Sequence, residues 1–130
     1  MRKQKLIYEE LTYGVNGILF RVAKNLGQHK NEKQYGDAIE YELQKAGLRY
    51  EREKVLPAAF EGEKNGRNKI DFLIEDILIL EIKAKPFITR EDYYQTMRYL
   101  KAAHKKLAIL VNMRRRTIVP KRILNSEAEE

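Results

Sequence analysis

Apolar residues at Leu6, Ile7, Leu11, Val15, Ile18, Leu19, Val22 and Leu26 recur at close to helical spacing, which predicts a helix over 5–26 with Gly27 as its C-cap. After the polar stretch Gln28 to Asn31, a second helix is predicted over Glu32 to Ala46. Tyr35, Ala38, Ile39 and Leu43 form its apolar stripe, and Gly47 closes it. Arg49 to Leu56 reads as a strand, and Ala58 to Phe60 as the start of another before the turn-rich stretch from Glu61 to Asn68. Two apolar runs, Ile70 to Ile74 and Ile77 to Ile82, then flank an acidic turn at Glu75–Asp76, so Lys69 to Lys85 is expected to be a hairpin. Pro86 ends it. Thr89 is placed to N-cap a helix through Ala103, with Glu91 and Asp92 in the first turn. Lys106 to Asn112 and Thr117 to Leu124 complete the chain as strands, and Asn125 to Glu130 is expected to fray. This order gives an α/β sandwich, a mixed central sheet flanked by helices, in one domain spanning 1–130.

Within the hairpin, polar residues interrupt otherwise apolar strands at Asp71, Glu81 and Lys83. With a three-residue loop (Glu75 to Ile77), Asp71 falls opposite Glu81, and alternation brings Lys83 to the same face. Two carboxylates side by side repel each other, and a divalent cation is the usual relief. An ammonium beside that cation can orient a water. A solvated hairpin face would also carry such residues. Against that, Ile77, Leu78, Ile79, Leu80 and Ile82 leave the Glu81 strand with no polar face, so Glu81 requires a partner.

Composition narrows the chemistry further. The 130 residues include no cysteine, which excludes disulfides and thiolate metal sites and leaves hard cations on oxygen ligands. No run has the length of a membrane span and the first residues lack a signal-peptide core, so a cytoplasmic protein is expected. The net charge of +7 is unevenly spread, with Lys101, Lys105 and Lys106, then Arg114, Arg115 and Arg116, then Lys121 and Arg122 in groups. Such a surface attracts polyanions. Basic charge around an acidic cation site suits a phosphodiester substrate, and Lys85, Arg98, Lys105, Lys106 and Arg114 to Arg116 are the candidate nucleic-acid contacts.

With Asp71 and Glu81-x-Lys83 in this order of elements, the chain resembles the PD-(D/E)XK nuclease superfamily, and within it the small GxxExxY proteins. The segments that carry the resemblance are Leu26–Gly27, Glu32-x-x-Tyr35, IDFLIED from Ile70, LEIKA from Leu80, Gln95 to Ala102, and LAILVN from Leu107. Two departures stand out. His29 occupies the position of the motif's glycine, and no proline stands immediately before Asp71. The resemblance implies a restriction-endonuclease-like fold and a metal-dependent nuclease acting on nucleic acid, DNA in the first instance. Asp71, Glu81 and the Ile82 carbonyl would bind Mg²⁺ or Mn²⁺, and Lys83 would hold the attacking water. Glu32 would face a metal-bound water, although a glutamate in a first helical turn is also favoured by the helix dipole alone. Gln95 and Tyr99, four apart on one helix face, match a Gln-x-x-x-Tyr helix of such nucleases. A non-catalytic binding module on the same fold, and a homodimeric junction-resolving or restriction-like enzyme, are the alternative readings.

Overall fold

The computed structural model describes the backbone of residues 2–128 and the side chains of residues 8–128. Helices α1 (Arg2–Leu26) and α2 (Glu32–Lys45) are followed by strands β1 (Tyr50–Val55), β2 (Lys69–Ile74) and β3 (Leu78–Lys83). Helix α3 (Arg90–Ala103) then leads to β4 (Leu107–Asn112) and β5 (Lys121–Leu124). The strands form one sheet in the order β1-β2-β3-β4-β5. Only β3 and β4, joined by α3, run parallel; the other neighbours are antiparallel. This is the restriction-endonuclease-like mixed sheet.

Each face of the sheet carries its own core. Leu11, Val15, Ile18, Leu19 and Val22 of α1 and Tyr35, Ile39 and Leu43 of α2 pack on Phe72, Ile74, Leu78, Leu80, Ile109 and Val111. On the other face, Tyr99 and Leu100 of α3 pack on Leu73, Ile79, Ala108 and Leu110. Strands β3 and β4 are therefore covered on both sides, which is why they read as almost unbroken apolar runs.

Capping boxes fix where two helices begin. Asn31 caps α2 with Gln34 reaching back, and Thr89 caps α3 with Asp92 reaching back. The buried Tyr35 hydroxyl donates to the Gly27 carbonyl and accepts from the Lys30 N–H, so the second half of the E-x-x-Y pattern ties down the preceding loop. His29 in that loop does not have a positive φ, so its position makes no demand for glycine.

Three expectations are corrected. Ala58 to Phe60 is not a strand. Pro57 has no N–H for a ladder, and the segment folds on itself, with the Glu63 carboxylate accepting from the Ala59 N–H at 2.7 Å and from the Asn68 amide at 3.2 Å. The last strand begins only at Lys121, because Pro120 likewise cannot donate. Asn125 does not fray: it is buried, and its backbone and side chain donate to the carbonyls of Lys106 and Lys105. Residues 129–130 of the expected tail lie outside the described residues.

Candidate active site

The β2–β3 turn is the three-residue one, with Ile74 paired to Leu78 and the Ile77 N–H closing on the Ile74 carbonyl. Continuing that register from Phe72↔Leu80 sets Asp71 against Glu81. There the ladder stops, and the two carboxylates cross into the opening. Asp71 Oδ2 accepts from the Ile82 N–H at 2.7 Å, and Glu81 Oε2 accepts from the Asp71 N–H, also at 2.7 Å. Each carboxylate thus supplies the hydrogen bond that a strand carbonyl would have given. The second oxygen of each has no hydrogen-bond partner among the described residues. The N–H and C=O of a strand residue point to the same side, so the Ile82 carbonyl also faces the opening.

The distortion reaches β1. Regular alternation would put Ile70 with Phe72 and Ile74, yet it packs with Leu73 and Ile79 on the α3 face, so the pleat breaks at Asp71. Opposite the break, Glu53 has a left-handed φ of 52° between two residues in regular pairing. A non-glycine residue there is strained by roughly 1–2 kcal/mol. Replacing Glu53 by Gly should raise stability in urea denaturation by about 0.5–1 kcal/mol, after glycine's own entropic cost. An unchanged or lower midpoint would show that this backbone is relaxed.

Burial and charge act together on the pair. Glu81 is 3% exposed. Desolvation first, and the Asp71 charge second, push its pKa up to about 8. Asp71 is raised by burial and by the charges of Glu32 and Glu53, against the opposing pull of the Ile82 N–H and of Lys83. The pair therefore holds a proton near neutrality and has a strong electrostatic demand for a cation. Among the described residues no third histidine, aspartate or glutamate converges with them to complete a cage. Two carboxylates with one spare oxygen each, and a carbonyl, fit a cation such as Mg²⁺ that keeps several waters.

Lys83 and Gln95 meet, with Lys83 Nζ donating to Gln95 Oε1 at 2.9 Å. Lys83 is also 4.0 Å from Asp92. Tyr99 is buried one turn further along α3; desolvation and then the charges of Glu81 and Asp71 raise its pKa and keep the phenol protonated. Glu32, the first residue of α2, lines a cleft of about 300 Å³ with Lys33, Arg52, Glu53, Asp71 and Ile82. Glu32, Asp71 and Ile82 thus line one cleft on the α2 side, with Glu81 bonded to Asp71 beside them, while Lys83, Gln95 and Tyr99 gather on the α3 side.

The proposed nucleic-acid contacts are not gathered in this way. Lys105 and Lys106 precede β4 at the opposite end of the sheet; the first residue of β4, Leu107, already lies five residues or roughly 16 Å along the strand from the Lys83 level. Lys105 is also tied to Asp76 at 3.1 Å. Arg98 pairs with Glu91 and lines a separate groove with Pro57 and Phe60. Lys85 is held by both oxygens of Asp92, at 3.0 and 2.8 Å. Of the group, only Arg114, Arg115 and Arg116 are exposed at the site's end of the sheet, directly after β4.

Two supporting residues escaped the reading of the sequence. Asp92 is buried and accepts from Lys85 and Thr89. Burial raises its pKa, but the bonds from Lys85 and Thr89 outweigh that and hold the carboxyl below its ordinary value. The pattern Thr89-x-x-Asp92 announces a capping box but not its second duty toward Lys85 and Lys83. Asn112 is buried at the end of β4, where its amide donates to the Lys85 carbonyl at 2.7 Å and accepts from the Lys85 N–H at 3.2 Å. It pins the chain two residues beyond Lys83, and an asparagine ending an all-apolar strand was its only signal.

No curated protein and no solved structure gave a significant match to the chain. A family model described as the PD-(D/E)XK nuclease superfamily matches residues 9–123, from within α1 into β5. That span takes in the crossed carboxylates, the lysine two residues on and the helix that holds it, and the chain belongs to the PD-(D/E)XK nuclease superfamily.

Proposed function

We propose that this protein is a divalent-metal-dependent nuclease that hydrolyses phosphodiester bonds of DNA, and that within the superfamily it stands with the GxxExxY proteins. The observation that carries this reading is the crossing of Asp71 and Glu81 where the β2–β3 ladder opens, with Lys83 held beside them by Gln95. Asp71, Glu81 and the Ile82 carbonyl would hold Mg²⁺ or Mn²⁺. When bound, the cation supplies positive charge against the phosphate and lowers the pKa of a water. Lys83 orients the attacking water and steadies the negative charge that grows on the phosphoryl oxygens, while Gln95 and Asp92 fix the ammonium. Glu32 and Glu53 border the cleft and orient further waters. Attack of water on phosphorus breaks one P–O bond, and the proton lost by the water matches the one gained by the leaving oxygen.

Labelled single-stranded DNA, duplex DNA and RNA incubated with Mg²⁺ or Mn²⁺ provide the test. Cleavage of DNA that disappears with EDTA and in Asp71→Ala is the expected result. Cleavage that persists in Asp71→Ala would place the activity elsewhere, and cutting confined to RNA would overturn the substrate.

A further inference from the structure

Two hollows lie side by side on the α3 face of the sheet, away from the acidic cleft. One, of about 580 Å³, is bordered by Asn112, Arg115, Val119, Pro120 and Arg122. The other, of about 440 Å³, is bordered by Thr89, Arg90, Tyr93 and Tyr94. Both share Ile88, Leu110 and Lys121, so they form one groove between the start of α3 and the β4–β5 edge.

Its chemistry is one-sided. Arg90, Arg115, Lys121 and Arg122 line it, no carboxylate does, and none of the four is in a salt bridge among the described residues. The floor is apolar, from Ile88 and Leu110. Tyr94 is half exposed and is braced edge-to-face by Tyr93, with ring centroids 6.0 Å apart, while Lys121 Nζ sits 5.9 Å from the Tyr93 ring. In the β3–β4 ladder Leu110 pairs with Glu81 and Asn112 with Lys83, so the floor starts one strand, about 4.8 Å, from the site.

We propose that this groove binds an unpaired nucleic-acid strand, stacking a base on Tyr94 and receiving phosphates on Arg115, Lys121 and Arg122, and that it leads that strand to the Asp71–Glu81 opening. The proposal rests on the nuclease reading above. Uncompensated cations set beside an open aromatic face and an apolar floor match bases whose π-faces are free, whereas a duplex offers only its phosphates to such a surface. The substrate is then a single strand, or a duplex with an unpaired end.

Fluorescence anisotropy in EDTA, where nothing is cut, tests it with a labelled oligothymidylate and a blunt duplex of equal length. The single strand should bind more tightly. Tyr94→Ala should weaken it by about 5- to 100-fold, and Tyr94→Phe should restore it. Replacing Lys121 and Arg122 together by Ala should make the slope of log K against log salt shallower by about 0.7 for each phosphate that is no longer neutralised. Because Tyr94 is half exposed, the variant keeps its fold, which circular dichroism checks. Preference for the duplex, wild-type binding by Tyr94→Ala, or equal displacement by polyglutamate would each overturn the groove. Tyr94-dependent binding without cleavage under any metal would leave the groove standing and overturn the nuclease reading alone.

Discussion

Lys83→Ala should lose DNA cleavage by about 10²–10⁴-fold while its affinity for Mg²⁺ or Mn²⁺ stays within a few-fold of wild type. The ammonium lies outside salt-bridge distance of Asp71 and Glu81 and is engaged instead by Gln95 at 2.9 Å and Asp92 at 4.0 Å. Its removal therefore takes away an oriented donor without removing a cation ligand. Gln95→Ala should produce a smaller loss in the same direction, because Asp92, one turn earlier on α3, still restrains the ammonium. Single-turnover cleavage with calorimetric titration of the metal separates the two effects. Turnover near wild type in Lys83→Ala would remove this residue from the reaction, and a parallel collapse of metal affinity would mean that it acts by organising the carboxylates.

The second large effect concerns pH in the metal-free protein. Glu81 has its pKa raised from 4.5 to about 8 on folding. Below pH 4.5 it is protonated both folded and unfolded and contributes no pH-dependent penalty. Between 4.5 and about 8 the folded chain keeps a proton that the unfolded chain has released, so stability falls as pH rises. Above about pH 8 the buried charge is fully formed. The shift of about 3.5 units corresponds to roughly 5 kcal/mol at most, shared with Asp71 because the two titrate together. Glu81→Gln should be more stable than wild type by about 2–5 kcal/mol at pH 9 in EDTA, and the gain should shrink towards pH 5. Mg²⁺ or Mn²⁺ should recover the wild type most at the alkaline end, since binding displaces the proton and tightens by up to about tenfold per pH unit below 8. Urea denaturation across this range checks both statements. A constant difference between variant and wild type would show that Glu81 carries no raised pKa.

Much of the architecture was legible in the chain because local signals agreed with the tertiary demand. Helical periodicity in α1 and α2, the Thr89 cap, and the doubly apolar β3 and β4 each correspond to what the fold provides. The register that sets Asp71 against Glu81 follows from a three-residue turn, and the four-residue step from Gln95 to Tyr99 follows from helix geometry. Local signals misled where proline breaks a ladder, at 58–60 and 117–120, and where a tertiary partner captured a terminus, at Asn125.

Periodicity and spacing are local properties of the chain, and they were enough to define the elements, the two-faced sheet and the carboxylate pair with its lysine. How the carboxylates are used is a tertiary matter. That they cross into the opened ladder depends on the break at Asp71 and the strained Glu53 opposite it, which no spacing encodes. Packing also sorted the basic residues. Lys105 goes to Asp76, Arg98 to Glu91 and Lys85 to Asp92, whereas Arg90, Arg115, Lys121 and Arg122 line one groove. A positive charge in sequence is only a count. Its partner is fixed by which strands and helices the fold brings within a few ångströms: Asp92 has lost solvent and holds Lys85 firmly, whereas Asp76 and Glu91 stay exposed and their pairs are weak.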